Sequence, residues 1–141
     1  MRLMGLDVGT KTVGVALSDE LGITAQALMT YRRTGAKADL QGLLGLIAEH
    51  GVTALVVGLP LHMNGEEGER AVAARKLGDA LGEQANVPVH YWDERLTTVA
   101  AQRALLEGDV SRAKRKEVID QVAAVLILQG YLQSQAKEDD E

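Results

Sequence analysis

Three acidic positions in this chain pose one electrostatic problem. Asp7 sits among Leu3, Leu6 and Val8, in a stretch that reads as a strand. Asp120 interrupts VIDQVAAVLIL, residues 118–128, which is otherwise apolar except for Gln121. Helical spacing puts Asp120, Ala123, Ala124, Ile127 and Leu128 on one face, and its alanines would let that face close on a sheet. A carboxylate in apolar surroundings costs several kcal/mol unless a cation or donors meet it. The third position is Asp93-Glu94, just past the carboxyl end of a strand, where ligands gather in open α/β sheets. Spacing does not decide which of these two points inward. Each acid has a plainer reading: a hydrogen-bonded strand aspartate for Asp7, an acid near a helix start for Glu94, a cap or strand contact for Asp120. One shared cation accounts for all three together. Hard oxygen ligands suit Mg2+ or Mn2+, and the chain has no cysteine for a softer metal. A pair of such ions can activate a water and stabilise the leaving oxygen of a phosphodiester. His62 and His90 stand in loop and strand positions where a structural role is ordinary, and they are left out of the ligand set.

Cationic groups lie near these acids in the sequence. The Gly9-Thr10-Lys11 turn follows Asp7 directly, and its backbone amides and Lys11 could hold a phosphate, although a plain hairpin turn has the same signature. It is not a P-loop, because G-x-x-x-x-G-K-[ST] is absent. Arg70 falls near a helix start after a loop. Arg112, Lys114, Arg115 and Lys116 precede the Asp120 helix. A solvated charged face is the alternative for both. The net charge is −5, weakly unfavourable for nucleic acid, but its distribution is uneven. Residues 137–141 hold one lysine and four acids, which leaves −2 for residues 1–136. Local potential matters more to phosphate binding than the total.

The positioning elements follow from periodicity. Residues 1–8 and 12–18 form a strand pair around a glycine-bearing turn, and residues 24–33 a third strand. Residues 38–50 have Leu40, Leu43, Leu44 and Ile47 at helical spacing, stopped by Gly51. Residues 52–59 are almost continuously apolar, as in a strand covered on both faces. A loop with Asn64-Gly65 leads to a helix over residues 66–85. A strand over 87–92, a helix from Thr97 to about residue 107, a basic connector over 109–116 and a helix over 117–133 complete the chain. This order predicts an α/β fold, a mixed five-stranded sheet with helices on both faces. The 141 residues fit a single domain over 1–136, with an acidic, disordered tail over 137–141. With 46% hydrophobic residues and 3% aromatics, the core must be aliphatic. No basic-then-apolar leader or bilayer-length apolar run is present, so a soluble cytoplasmic protein is expected.

GLDVGTKTVGVALSD, VVGLPLHMNGEEGERA, DERLTT and KRKEVIDQVAAVLIL, in this order, resemble the YqgF family, also called RuvX. The resemblance covers nearly the whole chain. It implies a ribonuclease H-like fold and a Mg2+- or Mn2+-dependent nuclease. Two tasks go with it: processing the precursor of small-subunit ribosomal RNA, and resolving four-way DNA (Holliday) junctions in recombination and repair. It places the acidic triad on Asp7, Glu94 and Asp120, as catalytic residues and metal ligands. It also makes Arg70, Lys114, Arg115 and Lys116 expected substrate contacts, beside Thr10 and Lys11 of the turn. His62 and Asn64 depart from the family's usual Asn and Asp in that loop.

The leading expectation is thus a metal-dependent endonuclease on structured nucleic acid. A symmetric homodimer would suit a junction with two strands to cut. A non-catalytic RNA-binding or transcription-associated module is the alternative. A nucleotide-binding ATPase-like domain, suggested by the Asp-x-Gly-Thr turn, is disfavoured because one domain offers no second lobe.

Overall fold

The computed structural model describes the backbone of residues 1–96 and 112–139, and their side chains apart from residues 112–118 and 139. Its elements are β1 (Arg2–Val8), β2 (Thr12–Ser18), β3 (Ala25–Arg32), α1 (Ala36–Glu49), β4 (Val52–Leu59), α2 (Glu69–Ala85), β5 (Val89–Asp93), a 3-10 turn (Glu94–Leu96) and α3 (Arg112–Asp139). The five strands form one sheet in the order β3-β2-β1-β4-β5. β1 pairs antiparallel with β2, and β2 with β3. β1 pairs parallel with β4, and β4 with β5. The mixed five-stranded sheet is therefore as expected. No described helix is long and apolar enough to cross a membrane.

Strand alternation divides the side chains between two cores. Met4, Leu6 and Val8 of β1, with Leu55, Val57 and Leu59 of β4, pack against Leu43 and Ile47 of α1 and Leu77 and Leu81 of α2. Leu3 of β1, Ala16 of β2, and Ala54 and Val56 of β4 pack against Ala123, Ala124, Ile127 and Leu128 of α3. The first core is built from large aliphatics, while the second includes the small Ala16 and Ala54 on the sheet beside Leu3 and Val56.

Glycines carry that difference further. A Cβ at Gly14 of β2 would stand 2.0 Å from the Asp120 carbonyl oxygen. One at Gly5 of β1 would stand 2.9 Å from the Ala124 carbonyl oxygen, and one at Gly58 of β4 2.5 Å from Cδ1 of Ile127. Backbone of α3 thus occupies volume that side chains on the sheet would need. The α3 stripe expected from spacing faces the sheet as predicted, with Ala123, Ala124, Ile127 and Leu128 buried.

Several boundaries differ from expectation. α2 begins at Glu69 rather than residue 66, because the Glu66 carbonyl accepts from His62 N at 3.0 Å and Gly68 takes the cap position. α3 begins at Arg112 and ends at Asp139, longer at both ends than the expected 117–133. The basic cluster is therefore helix rather than connector. Alanine, lysine, arginine and glutamine are good helix formers, and neither glycine nor proline interrupts either extension. Lys137, Glu138 and Asp139, expected in a disordered tail, have helical backbone. The helix expected from Thr97 to about residue 107 lies outside the described residues.

The glycine contacts predict a contrast. Gly14→Ala should destabilise the fold by about 2–3 kcal/mol, because α3 backbone must shift to admit a methyl. Gly45 in α1 has open space around its Cβ position. Gly45→Ala should stabilise by about 0.5–1 kcal/mol. Urea unfolding of both variants checks this, and equal effects would contradict the close approach of α3.

Candidate active site

Asp7 lies near the carboxyl end of β1 and is 4% exposed. By alternation its side chain shares the α3 face with Leu3 and Gly5. Its antiparallel partner on β2 is Gly14. On the other side, Gly58 of β4 stands one residue beyond the Leu6–Val57 pair. Asp7 is therefore flanked across the sheet by two residues without side chains. Adjacent strands lie about 4.8 Å apart, so this row of three positions spans roughly 10 Å.

The other two acids reach the same row. α3 crosses β2 at Gly14 through the backbone of Asp120 itself. The Asp120 carboxylate accepts a short hydrogen bond from the hydroxyl of Thr12, which shares the α3 face of β2 with Gly14. Glu94 follows β5 in the 3-10 turn, and its carboxyl carbon lies 3.3 Å from the Cβ position of Gly58. Asp7, Glu94 and Asp120 thus converge on one edge and one face of the sheet, from a strand, a turn and a helix. Asp120 and Glu94 are each half-buried.

Asp93 and Glu94 differ in their surroundings. Asp93 is the last residue of β5, and its carboxylate takes Nε of Arg95 at 3.0 Å and Nη2 at 2.7 Å. The Arg95 guanidinium holds its pKa below the ordinary carboxylate value, against the upward push of burial. Arg95 also donates to the Met63 carbonyl at 3.2 Å, tying the end of β5 to the loop after β4. Asp93 serves this clamp, and Glu94 is left on the α3 face.

Among the described residues, no three His, Asp or Glu side chains are already gathered closely enough to hold a metal ion. The Asp120 carboxylate is engaged instead by the Thr12 hydroxyl. The donors themselves, three carboxylates and a hydroxyl with no thiol in the chain, match a hard divalent cation.

On the opposite face of the same edge, the Gly9-Thr10-Lys11 turn is held by a half-buried Arg33 paired with a buried Asp39, which spacing did not reveal. Arg33 donates from Nη1 to the Gly9 carbonyl and from its backbone N to the Lys11 carbonyl, both at 2.9 Å. Its Nε meets Asp39 Oδ2 at 2.9 Å. Asp39 is 1% exposed and also accepts from Thr34 N at 2.8 Å. Burial alone would raise the Asp39 pKa, but the amides of Thr34 and Gly35 and the Arg33 guanidinium outweigh it and hold it below the ordinary value. A polar residue at a helix start was the available signal; that it closes on a turn more than 20 residues earlier was not. Arg70 lines a cavity of 210 Å³ together with Gly9, Thr10 and Arg33. Lys11 is exposed on the same turn. Lys114, Arg115 and Lys116 lie in the first turns of α3, and their side chains are outside the described set.

The sheet order, with helices on both faces, defines a mixed α/β fold. Thermus thermophilus RuvC, solved in complex with a Holliday junction, superposes with a TM-score of 0.62 over 96% of each chain at 16% identity. The fowlpox virus Holliday junction resolvase gives 0.56 over 96% of this chain and 99% of its own, at 12% identity. At these identities the likeness is one of fold. Residues 1–134 match the family described as RuvX: Holliday junction resolvase, and the chain belongs to that family. A Myxococcus xanthus relative is 60% identical over 139 residues, 99% of this chain and 92% of its own. One from Moorella thermoacetica is 61% identical over 132 residues, 94% of each. Both carry the provisional name pre-16S rRNA nuclease.

The Asp39 pair predicts a pH signature. A carboxyl whose folded pKa is depressed contributes stability that is present above the unfolded value of about 3.9 and lost as pH falls through the folded value. Asp39→Asn should cost about 2–4 kcal/mol at neutral pH. That gap should narrow below about pH 4, where wild type loses the same contribution. Urea unfolding at neutral and acidic pH measures it, and a constant gap would show that the charge of Asp39 is not what matters.

Proposed function

We propose that this chain is a divalent-metal-dependent endonuclease that hydrolyses phosphodiester bonds in structured nucleic acid, with Asp7, Glu94 and Asp120 as its catalytic and metal-ligating residues. The observation that carries the reading is the row of three acids from three elements, set over glycines at the carboxyl edge of the parallel strands. Membership of a resolvase family supports it. The relatives at 60% and 61% identity favour the precursor of 16S rRNA as substrate, and the family description favours four-way DNA junctions. Processing of an rRNA precursor would place the protein in the cytoplasm.

Each residue has a distinct task in this reading. Asp7, fixed in a central strand, is the ligand that moves least. Glu94 closes the site from the β5 side, and Asp120 from α3. The Thr12 hydroxyl orients the Asp120 carboxylate, as outer-shell donors orient metal ligands. Bound Mg2+ or Mn2+ would supply an acidified water and neutralise charge on the leaving oxygen. Thr10, Lys11 and Arg70 would hold the backbone beside the cut, with Lys114, Arg115 and Lys116 at the start of α3. Such contacts read charge and shape rather than bases. Two copies related by a twofold axis would present two sites to the two strands of a junction.

With Mn2+ or Mg2+ present, wild type should cleave a four-way DNA junction or an rRNA precursor, and Asp7→Asn should lower the rate by more than about 100-fold, beyond the usual cost of an outer-shell change. Assaying both substrates side by side identifies the preferred one. If mutant and wild type cleave equally, or neither cleaves either substrate, the reading fails. Because carboxylate ligands must be deprotonated, Mn2+ should raise the melting temperature at neutral pH and less so on acidification. A shift that grows as pH falls would count against the acidic site.

A further inference from the structure

We propose that the groove between α1 and α2 is a second binding track for the phosphodiester backbone of the same substrate, formed by Arg33, Lys37 and Lys76 and continuing from Arg70. This rests on the nucleic-acid reading above and adds a surface on the opposite face of the sheet from the acids. Two adjacent cavities carry the inference. The first, of 210 Å³, touches Gly9 and Thr10 at the turn after Asp7 and is lined by Arg33, Arg70 and Glu69. The second, of 460 Å³, runs on between the two helices and is lined by Arg33, Lys37 and Lys76 over a floor that includes Leu40 and Leu77. Arg33 and Ala73 border both, so the two adjoin.

Its charge is opposite to that of the molecule. The chain carries −5 overall, whereas the path has four cations against the carboxylates of Glu69 and of Asp39, the partner of Arg33. Asp39 is buried beneath it. Lys37, Arg70 and Lys76 are exposed, with no ion pair to satisfy them among the salt bridges of the described residues. Arg33 is already held by Asp39 and Gly9, so it offers a preorganised cation at the junction of the two cavities. From Arg70 to Lys76 the α2 axis rises about 9 Å. That is length for about two successive phosphates of one strand, whose charges recur every ~3.4 Å of duplex axis and lie further apart along the backbone itself. Continuity with the turn beside Asp7 makes the occupant the strand leaving the site, because a backbone held at Gly9 and Thr10 meets these cations next.

Titrating a fluorescein-labelled four-way DNA junction and a labelled 16S rRNA precursor fragment in EDTA, with anisotropy as readout over a range of salt, tests this without cleavage. Lys37→Gln/Lys76→Gln should weaken binding of the preferred substrate. Its slope of log affinity against log salt should become shallower by about 2, since each phosphate contact contributes about 0.9. Lys137→Glu, which changes net charge equally at the far end of α3, should leave the slope as in wild type. An unchanged slope in the double variant, or an equal change in Lys137→Glu, overturns the track while leaving the nuclease reading intact. A wild type that binds neither nucleic acid overturns both.

Discussion

At Gly14 the carbonyl oxygen of Asp120 sits 2.0 Å from where a Cβ would stand, so α3 lies on the sheet backbone to backbone. The positions of the candidate site derive from this contact. It brings Asp120 onto the α3 face beside Asp7, because Gly14 is the strand partner of Asp7. It places Thr12 where its hydroxyl reaches the Asp120 carboxylate. It fits the glycine at positions 5, 14 and 58 and the alanine at 16 and 54 on this face, where the other face carries leucine and valine. A helix packed through large side chains would stand about 10 Å away, and Asp120 would then be too distant for a shared cation.

Charge is divided about the same sheet edge. The acids lie on the α3 face and would repel a phosphate unless a cation intervened. The cations lie on the α1–α2 face, where Arg33 binds the turn after Asp7 from beneath. One short turn therefore connects the acidic α3 face with the basic α1–α2 face. The buried Asp39 is what makes this arrangement rigid, since it fixes Arg33 against α1 and thereby the turn against the helix layer. A protein of net charge −5 can in this way present a local basic path.

Much of the fold was legible because its signals are local. The apolar run over β4, the hairpin of β1 and β2 and the small-residue stripe of α3 each carry a periodicity that survives without tertiary information. Boundaries were less legible. Glu66 is as good a helix starter as Glu69 by type, and only its carbonyl bond to His62 excludes it. The basic stretch before Glu117 resembled a connector because it is polar all round, yet lysine and arginine propagate a helix as readily as they solvate a loop.

Asp7 and Asp120 could be singled out from sequence alone, because a charge within an apolar periodic segment violates the pattern that surrounds it. The choice between Asp93 and Glu94 could not be made from spacing. It depends on the chain leaving β5 for the 3-10 turn between the two residues and on the Arg95 guanidinium that claims Asp93, a matter of a neighbouring loop. The Asp39–Arg33–Gly9 linkage was also invisible, because its members are ordinary surface residue types until α1 and the turn pack together. Residue types and their periodicity determined the elements and the misplaced acids. The packing of α3 onto glycines, and of α1 beside the first turn, decided which charges meet, because electrostatic partners are fixed by distance in space and not by separation along the chain.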